Sequence, residues 1–207
     1  MPERVLITGF EPFGGDGVNP SGRLALALSG RTIAGRIVEG RVLPVDSARV
    51  GGLVRAAVAE TQPAMILLTG LAPGRAGLAI ESGASNVLDF DQPDNAGRFL
   101  RNCRIAEHGA ERLVTNLPVG DVLAAWQKAG ISGVLSDSAG TYLCNQAFYE
   151  VLALNERSIP TGFIHLPDTP ELAATRAGDR RPALEFERMI EAIELCVEVT
   201  FGRHASA

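Results

Sequence analysis

The sequence predicts an α/β protein, a three-layer α/β/α sandwich around a mainly parallel, twisted β-sheet. Short apolar runs, many of them bounded by glycine or proline, recur along the 207 residues, and segments with apolar residues at helical spacing lie between them. Strands that alternate with helices imply crossover connections and a parallel sheet covered on both faces. The length is that of one domain, so we expect residues 1–207 to form a single domain.

The predicted strands are short apolar or β-branched runs, several of them without a polar face, as expected for strands buried on both sides. They are residues 5–8, 41–45, 65–68, 78–82, 112–114, 133–136 and 163–166.

The predicted helices lie between these runs. The first begins at Asn19-Pro20, and the others span residues 47–60, 118–128, 141–154 and 184–200. Asn19 is a favourable N-cap and Pro20 suits the first turn, whose N–H lacks an intrahelical partner. Gly130 is placed to end the third helix. Residues 83–111 show weak periodicity and are expected to form a long, partly ordered excursion, a kind of loop that often carries function.

Composition excludes several function classes. The formal charge of -5 leaves no basic excess for phosphate, so nucleic acid is not expected as a partner. No apolar run approaches the roughly 18 residues that span a bilayer, and the N-terminal residues lack the apolar core of a signal peptide. Three well-separated cysteines and three histidines show neither a disulfide framework nor metal-ligand spacing. We expect a cytoplasmic protein with reduced thiols, no membrane partner and no metal.

Three residues able to carry hydrolytic chemistry stand at the ends of predicted elements. Cys144 lies in the first turn of the helix 141–154, where unpaired N–H groups and the helix dipole lower the pKa of a thiol and can stabilise an oxyanion. His165 ends an apolar strand and would supply the base and acid of thiol catalysis. Glu81 ends another strand and would orient the imidazole. We expect all three at the carboxyl ends of the strands, where α/β sheets place their sites.

Each of these residues also has a plainer explanation. A lone cysteine such as Cys144 is usually a small buried apolar residue. His165 is compatible with a structural, hydrogen-bonded histidine, and Glu81 with an exposed charge at a strand end. His108 and His204 are predicted to be surface residues.

The loop after the first strand invites comparison with nucleotide-binding loops. Gly14–Gly17 lacks the spacing of a dinucleotide-binding loop, no lysine follows it, and Asp16 would repel phosphate. Phe10 and Phe13 are more informative, because two aromatic rings on one loop can form a flat slot for a small ring. Ordinary core packing explains them equally well.

Five segments together resemble the pyroglutamyl peptidase type I (pyrrolidone-carboxylate peptidase) family in order and spacing. They are residues 9–20, 70–75, 93–95, 138–145 and 162–167. The resemblance implies a cysteine peptidase with an α/β/α sandwich, often tetrameric, that uses no cofactor and removes an N-terminal pyroglutamyl residue from peptides. It therefore leads us to expect one peptidase domain, an N-terminally blocked peptide as substrate, and a homo-oligomer, either a dimer or a tetramer.

The resemblance also assigns site residues. It places a catalytic triad on Glu81, Cys144 and His165. It further implies that the substrate is bound by Phe10, Phe13, Asn19, Leu71, Gln92, Tyr142 and Leu143.

Three departures from the family pattern bear on specificity. Asp91-Gln92 stands where the family usually has arginine followed by an apolar residue, and it is expected close to the active site. Ser82 replaces an arginine, and Asp168-Thr169 replaces an aromatic residue. Two alternatives therefore stay open: a divergent cysteine hydrolase acting on another small amide or lactam, and a catalytically silent lactam-binding homologue. A purine-phosphorylase-like enzyme on the same architecture is disfavoured, since no phosphate-binding signature is present.

Overall fold

A computed structural model of the chain describes residues 2–154, 159–175 and 182–202. Its strands, in chain order β1 to β9, are Arg4–Phe10, Thr32–Ile33, Arg36–Leu43, Met65–Leu71, Leu78–Glu81, Gly83–Ser85, Arg112–Val114, Gly133–Ser136 and Thr161–Leu166. Its helices, α1 to α6, are Pro20–Leu28, Val50–Thr61, Val119–Lys128, Leu143–Leu154, Pro170–Thr175 and Phe186–Gly202.

Seven strands form the central sheet, in the order β2-β3-β1-β4-β9-β5-β8. The four strands β3, β1, β4 and β9 are mutually parallel. The pair β5 and β8 is parallel within itself and antiparallel to β9, and β2 is antiparallel to β3. The predicted mainly parallel sheet is therefore confirmed, with two antiparallel contacts. Strands β6 and β7 pair separately as a small ribbon.

Helices cover both faces of the sheet and create two apolar cores. On one face, α1, α3 and α6 contribute Leu24, Trp126 and Met189 to the core. On the other, α2 and α4 contribute Val54 and Phe148. The three-layer arrangement is thus confirmed, and α4 brings its first turn onto the second face beside the ends of β1, β4 and β9.

The antiparallel direction of β5 contradicts the expectation that Glu81 lies at the same sheet edge as the other site residues. Only six residues separate β4 from β5, and a parallel crossover needs about a dozen. The chain therefore reverses after Leu71, and β5 enters the sheet on the far side of β9. Glu81 reaches the site from within the sheet instead of from its carboxyl edge.

Other boundaries differ from the prediction in the less periodic segments. The second predicted strand begins earlier, at Arg36, and ends at Leu43. Residues 112–114 pair with β6 in the ribbon and do not join the central sheet. The predicted N-cap is confirmed, since the side chain of Asn19 accepts a hydrogen bond from the Ser21 N–H at 3.1 Å. Within the described residues, no helix has both the length and the apolarity needed to cross a membrane.

Candidate active site

A cavity of about 410 Å³ opens where β1, β4 and β9 end and α4 begins. It is lined by Phe10, Phe13, Asn19, Val45, Leu71, Pro73, Asp89, Asp91, Gln92, Ala139, Gly140, Thr141, Tyr142, Leu143, Cys144 and His165. The structure thus brings Cys144, His165 and all seven expected substrate-binding positions to one wall or another of a single cavity. Glu81 lies behind that surface.

Cys144 is the second residue of α4 and is partly exposed. Its sulfur lies against the backbone of β4: a Cβ atom at Gly70 would be 2.7 Å from Sγ of Cys144 and 2.8 Å from Cζ of Phe163. Contacts that short force a shift of one group or the other, so glycine at position 70 leaves the space that the sulfur occupies.

His165 and Glu81 form a buried pair. Nδ1 of His165 lies 2.7 Å from Oε1 of Glu81, and the two residues are 6% and 0% exposed. In the antiparallel pairing of β9 with β5, Ala79 stands opposite His165, which puts Glu81 two residues further along on the same face. Because an ionised carboxylate only accepts hydrogen bonds, Nδ1 carries the proton and Nε2 is left free to accept one.

The sulfur and the imidazole meet across the β4–β9 pair. Gly70, which lies under the sulfur, is the register partner of His165. In the part of the chain that the structure describes, no hydrogen bond joins the Cys144 thiol to the imidazole. Catalytic hydrogen bonds of this kind are commonly long in substrate-free proteins and shorten when substrate binds.

The thiol of Cys144 is harder to ionise than the sequence predicted. Burial, together with the negative charge of Glu81, raises the pKa of Cys144 to about 12, and its backbone N–H only partly offsets this. The predicted lowering by the helix N-terminus is therefore wrong, because desolvation outweighs the effect of the backbone N–H. A thiolate has to be formed here by proton transfer to a base.

The first turn of α4 offers hydrogen-bond donors next to the sulfur. The early N–H groups of a helix have no intrahelical acceptor, and the N–H of Cys144 interacts with its own sulfur. Among the described residues no other acceptor is recorded for it. An oxygen placed beside Sγ would find this donor.

Aromatic rings form one wall of the cavity. Phe13 and Tyr142 lie 6.2 Å apart between ring centroids, and Phe90 packs edge-on against Tyr142 at 4.6 Å. The hydroxyl of Tyr142 donates to the carbonyl oxygen of Pro93 at 3.0 Å. Burial, with nearby Asp94 and Cys144, raises the pKa of Tyr142 to about 12, so this hydroxyl remains a donor. The wall is consequently apolar and is fixed to the neighbouring loop.

Asn19 lines the cavity but is mostly engaged elsewhere. Its Oδ1 accepts from the N–H and the hydroxyl of Ser21, and its Nδ2 donates to the carbonyl oxygen of Glu11 at 3.0 Å. One amide hydrogen is left for other contacts. Leu71 and Leu143, by contrast, are buried apolar residues whose edges face the cavity.

The rim of the cavity is acidic. Asp89 lines it and is paired with Arg101 at 2.8 Å. Asp91 is exposed, and among the described residues it has no recorded ion pair or hydrogen bond. Gln92 packs its amide over Gly14, 3.6 Å from where a Cβ would stand. Asp91 and Gln92 therefore both lie at the cavity, where they were expected.

Sequence reasoning missed two residues that organise the site. Gly70 and Arg75 belong to the motif 70–75, which by itself assigns neither of them a role. Nη2 of Arg75 nevertheless lies 3.4 Å from Oε1 of Glu81. A signal existed for Arg75: Ala72-Pro73-Gly74-Arg75 is a turn sequence, and six residues between strands require a reversal. No group of metal-ligating side chains occurs in the described ranges. His108 is exposed, as predicted, whereas His204 lies outside the described residues.

Comparison with known proteins gives a consistent result along the chain. The profile of the pyroglutamyl peptidase family matches residues 3–203. Pyrrolidone-carboxylate peptidase from Pyrococcus furiosus is 35% identical over 203 residues, covering 95% of this chain and 97% of that protein. The Coprothermobacter proteolyticus protein of the same name is 38% identical over 199 residues, with 95% and 96% covered. The solved pyrrolidone carboxyl peptidase of Thermococcus litoralis superposes with a TM-score of 0.94 at 34% identity, covering 99% of this chain and 96% of that one.

Proposed function

The chain belongs to the pyroglutamyl peptidase family, and we propose that it removes an N-terminal pyroglutamyl residue from peptides. In this reaction Cys144 is the nucleophile, His165 is the base and acid, and Glu81 orients the imidazole. The observation that carries the proposal is the buried His165–Glu81 pair: Glu81 holds Nδ1 of an imidazole that lines the same cavity as Cys144.

The first step forms the nucleophile. Nε2 of His165 takes the proton from Sγ of Cys144, and the sulfur attacks the carbonyl carbon that links pyroglutamate to the next residue. Because burial disfavours a free thiolate, this proton transfer accompanies substrate binding. The carboxylate of Glu81 stabilises the imidazolium that results.

The next steps release the two products. The N–H of Cys144 donates to the developing oxyanion; loss of one such donor in acyl-transfer enzymes costs about 10²–10³ in rate. The imidazolium protonates the departing amine as the C–N bond breaks, which leaves a pyroglutamyl thioester. His165 then takes a proton from water, and the hydroxide attacks the thioester carbonyl carbon. The C–S bond breaks, the imidazolium returns its proton to the sulfur, and pyroglutamate leaves.

The cavity suits a neutral lactam. No lysine or arginine is among its described lining residues, so nothing there would pair with a substrate carboxylate. Phe10, Phe13 and Tyr142 offer flat apolar surface for a small ring. The ring N–H and C=O need partners, because an unpaired buried amide group costs about 1–3 kcal/mol. Among the described lining residues, the amide groups of Asn19 and Gln92 are available partners.

The remaining expectations about partners and location are proposals of the same kind. A peptide substrate follows from the peptidase family. Three expectations stay predictions: a cytoplasmic location, one peptidase domain over residues 1–207, and a dimer or tetramer. Gel filtration with light scattering would test the oligomeric state.

The proposed function is tested with a fluorogenic pyroglutamyl amide and its prolyl counterpart. We expect turnover of the pyroglutamyl amide alone, and loss of at least about 10³-fold in Cys144→Ala, since the nucleophile is gone. Cys103→Ala is the matched control, because Cys103 is partly exposed but does not line the cavity. Turnover that survives in Cys144→Ala would remove Cys144 as the nucleophile. Absence of turnover in the unaltered protein would favour the silent lactam-binding alternative.

One observation favours a second candidate within the same chemistry. Asp91 puts a negative charge at the cavity rim that no described residue pairs with. A divergent hydrolase that prefers a positively charged or more polar group beside the scissile amide would use that charge. The two candidates differ in substrate and share the Cys144 mechanism.

A further inference from the structure

Arg75 makes an ion pair with the carboxylate that supports the imidazole. Its Nη2 lies 3.4 Å from Oε1 of Glu81, the same oxygen that accepts from His165 at 2.7 Å. Nη2 of Arg75 also donates to the hydroxyl of Ser136 at 3.4 Å. Ser136 lies on β8 and is the register partner of Glu81 in the sheet. The guanidinium therefore lies where β5 and β8 end.

A tight turn holds Arg75 in this place. The N–H of Arg75 donates to the carbonyl oxygen of Ala72 at 3.4 Å, with Pro73 and Gly74 between them. Gly74 has φ of +81°, which is the conformation of the third residue in a type II turn. Two hydrogen bonds also fix the turn to the end of β9 and the residues after it. The N–H of Ala72 donates to the carbonyl oxygen of Leu166, and the N–H of Gly74 donates to the carboxylate of Asp168.

The charge of Glu81 needs a partner of this kind. Glu81 is fully buried, and its Oε2 has no hydrogen-bond partner among the described residues. Ionised carboxylates are rarely left buried without a compensating charge. While the imidazole is neutral, His165 supplies a hydrogen bond but no positive charge. Arg75 supplies that charge, with a side chain that is 35% exposed.

We propose that Arg75 is a positioning residue of the catalytic site, which compensates the charge of the Glu81 carboxylate, holds it directed at His165 and, through that pair, eases proton transfer from Cys144. The inference rests on the proposed function for its catalytic consequence. The effect of Arg75 on the charges around Cys144 does not depend on that function, and it can be measured without a peptide substrate.

The charged and titratable groups around Glu81 set the sign of the effect. His165 faces it from β9, Cys144 from α4 and Arg75 from the turn. Arg112 of β7 is near, bonded to the hydroxyl of Ser82 at 2.7 Å and to the carbonyl oxygen of Asp137 at 2.9 Å. Strand β8 contributes no titratable side chain. Removing the positive charge of Arg75 leaves the negative charge of Glu81 less compensated, and that charge raises the pKa of the Cys144 thiol.

The experiment compares Arg75→Gln with Arg75→Lys. Two profiles are recorded against pH: kcat/KM on the pyroglutamyl amide, and the rate of Cys144 alkylation by iodoacetamide, followed by mass spectrometry in a Cys103→Ala background. In Arg75→Gln we expect both profiles to move to higher pH and alkylation at neutral pH to slow about three- to tenfold, which corresponds to half to one pH unit. Arg75→Lys keeps the charge and should restore the position of both profiles.

Arg31→Gln is the matched control. Arg31 also pairs with a glutamate, Glu194 of α6 at 3.1 Å, but on the other face of the sheet. It should leave both profiles in place, and melting temperatures of all variants show whether the fold is retained.

Each outcome decides the proposal. Upward shifts in Arg75→Gln that Arg75→Lys reverses support it. Unmoved profiles, or reduced kcat/KM with an unmoved alkylation profile, overturn it and leave Arg75 a structural residue. If the unaltered protein fails to cleave the pyroglutamyl amide, the proposed function fails, yet the alkylation profiles still decide the role of Arg75.

Discussion

At the residue scale, the chemistry of the site depends on how two charges are compensated. Glu81 is buried with His165 and Arg75 on the same oxygen. Asp91 stands at the rim, and no residue in the described ranges pairs with it. A compensated buried charge can orient a base, whereas an uncompensated charge at the rim acts on whatever binds there.

The charge of Asp91 predicts a preference in the residue that follows pyroglutamate. We expect pyroglutamyl-lysine peptides to be cleaved with a kcat/KM about two- to fivefold above that of pyroglutamyl-glutamate peptides, which is the size of an exposed charge interaction. Asp91→Arg should reverse this order and raise turnover of the neutral pyroglutamyl amide, because a positive charge beside the scissile group favours the oxyanion.

The control for that comparison is Glu107→Arg. Glu107 is exposed and absent from the cavity lining, and its reversal changes the net charge by the same amount. Equal ratios in the unaltered protein and in Asp91→Arg, with addition of salt making no difference, would show that Asp91 does not select substrate.

At the element scale, the site exists because strand β4 and helix α4 approach closely. Sγ of Cys144, the first turn of α4 and the ring of Phe163 meet over Gly70. In closely packed interiors an added methyl group forces neighbours out of their positions. The close approach of the two elements therefore sets where the sulfur lies relative to His165.

Gly70→Ala tests this contact. The new Cβ would stand 2.7 Å from Sγ and 2.8 Å from the Phe163 ring, so we expect kcat to fall about 10²-fold, as misplacement of reacting groups by about 1 Å does. Overpacking should also lower the free energy of unfolding by about 1–3 kcal/mol. Activity and denaturant unfolding are measured on the same samples.

Gly52→Ala provides the comparison within a helix. Gly52 is an exposed residue of α2, and a Cβ there would have no heavy atom within 4 Å. This change should leave kcat unaltered and stabilise the fold by about 0.5–1 kcal/mol, since alanine loses less backbone entropy than glycine. A Gly70→Ala variant that behaves like Gly52→Ala would show that the sulfur has room to move without cost.

At the scale of the whole molecule, polar side chains join loops that are far apart in sequence around the cavity. Glu11 accepts from the N–H of Val45 and from Asn95, both at 2.9 Å. Asp94 accepts from the N–H and hydroxyl of Ser47 at 2.9 and 2.7 Å, and from two further backbone N–H groups. The excursion 83–111 is thereby tied to the β3–α2 loop and to the loop after β1.

Asp94 makes stability depend on pH. Burial alone would raise its pKa, but hydrogen bonds from Ser47, Arg98 and Ala96 outweigh it, so the pKa of Asp94 is lowered. A lowered folded-state pKa contributes stability that is present above the unfolded value of about 3.9 and is lost as the pH falls through the folded value. Unfolding in denaturant should therefore become easier below about pH 4.

Asp94→Asn isolates this contribution. It should lower the free energy of unfolding at pH 7 by about 1–3 kcal/mol, the cost of leaving buried donors poorly paired, and it should flatten the dependence below about pH 4. Asp137→Asn makes the same change of charge at an exposed position and should do neither. Parallel pH curves for all three proteins would show that Asp94 contributes nothing specific.

Much of this architecture was predictable from local patterns. The buried strands around Val5, Met65 and Phe163, the cap at Asn19 and the helix that begins near Cys144 follow from apolar periodicity and capping chemistry. Those signals act over a few residues, so the chain carries them in readable form. The same holds for the five ordered motifs that indicated the pyroglutamyl peptidase family.

What the tertiary structure decided involves residues that are distant along the chain. The reversal of β5 sets Glu81 diagonally across from His165, and the turn after β4 sets Arg75 beside it. The raised pKa of Cys144 arises from burial and from the charge of Glu81, which no local pattern records. Sequence specified which groups are available, and packing specified their distances and dielectric surroundings, because desolvation and ion pairing depend on neighbours in space.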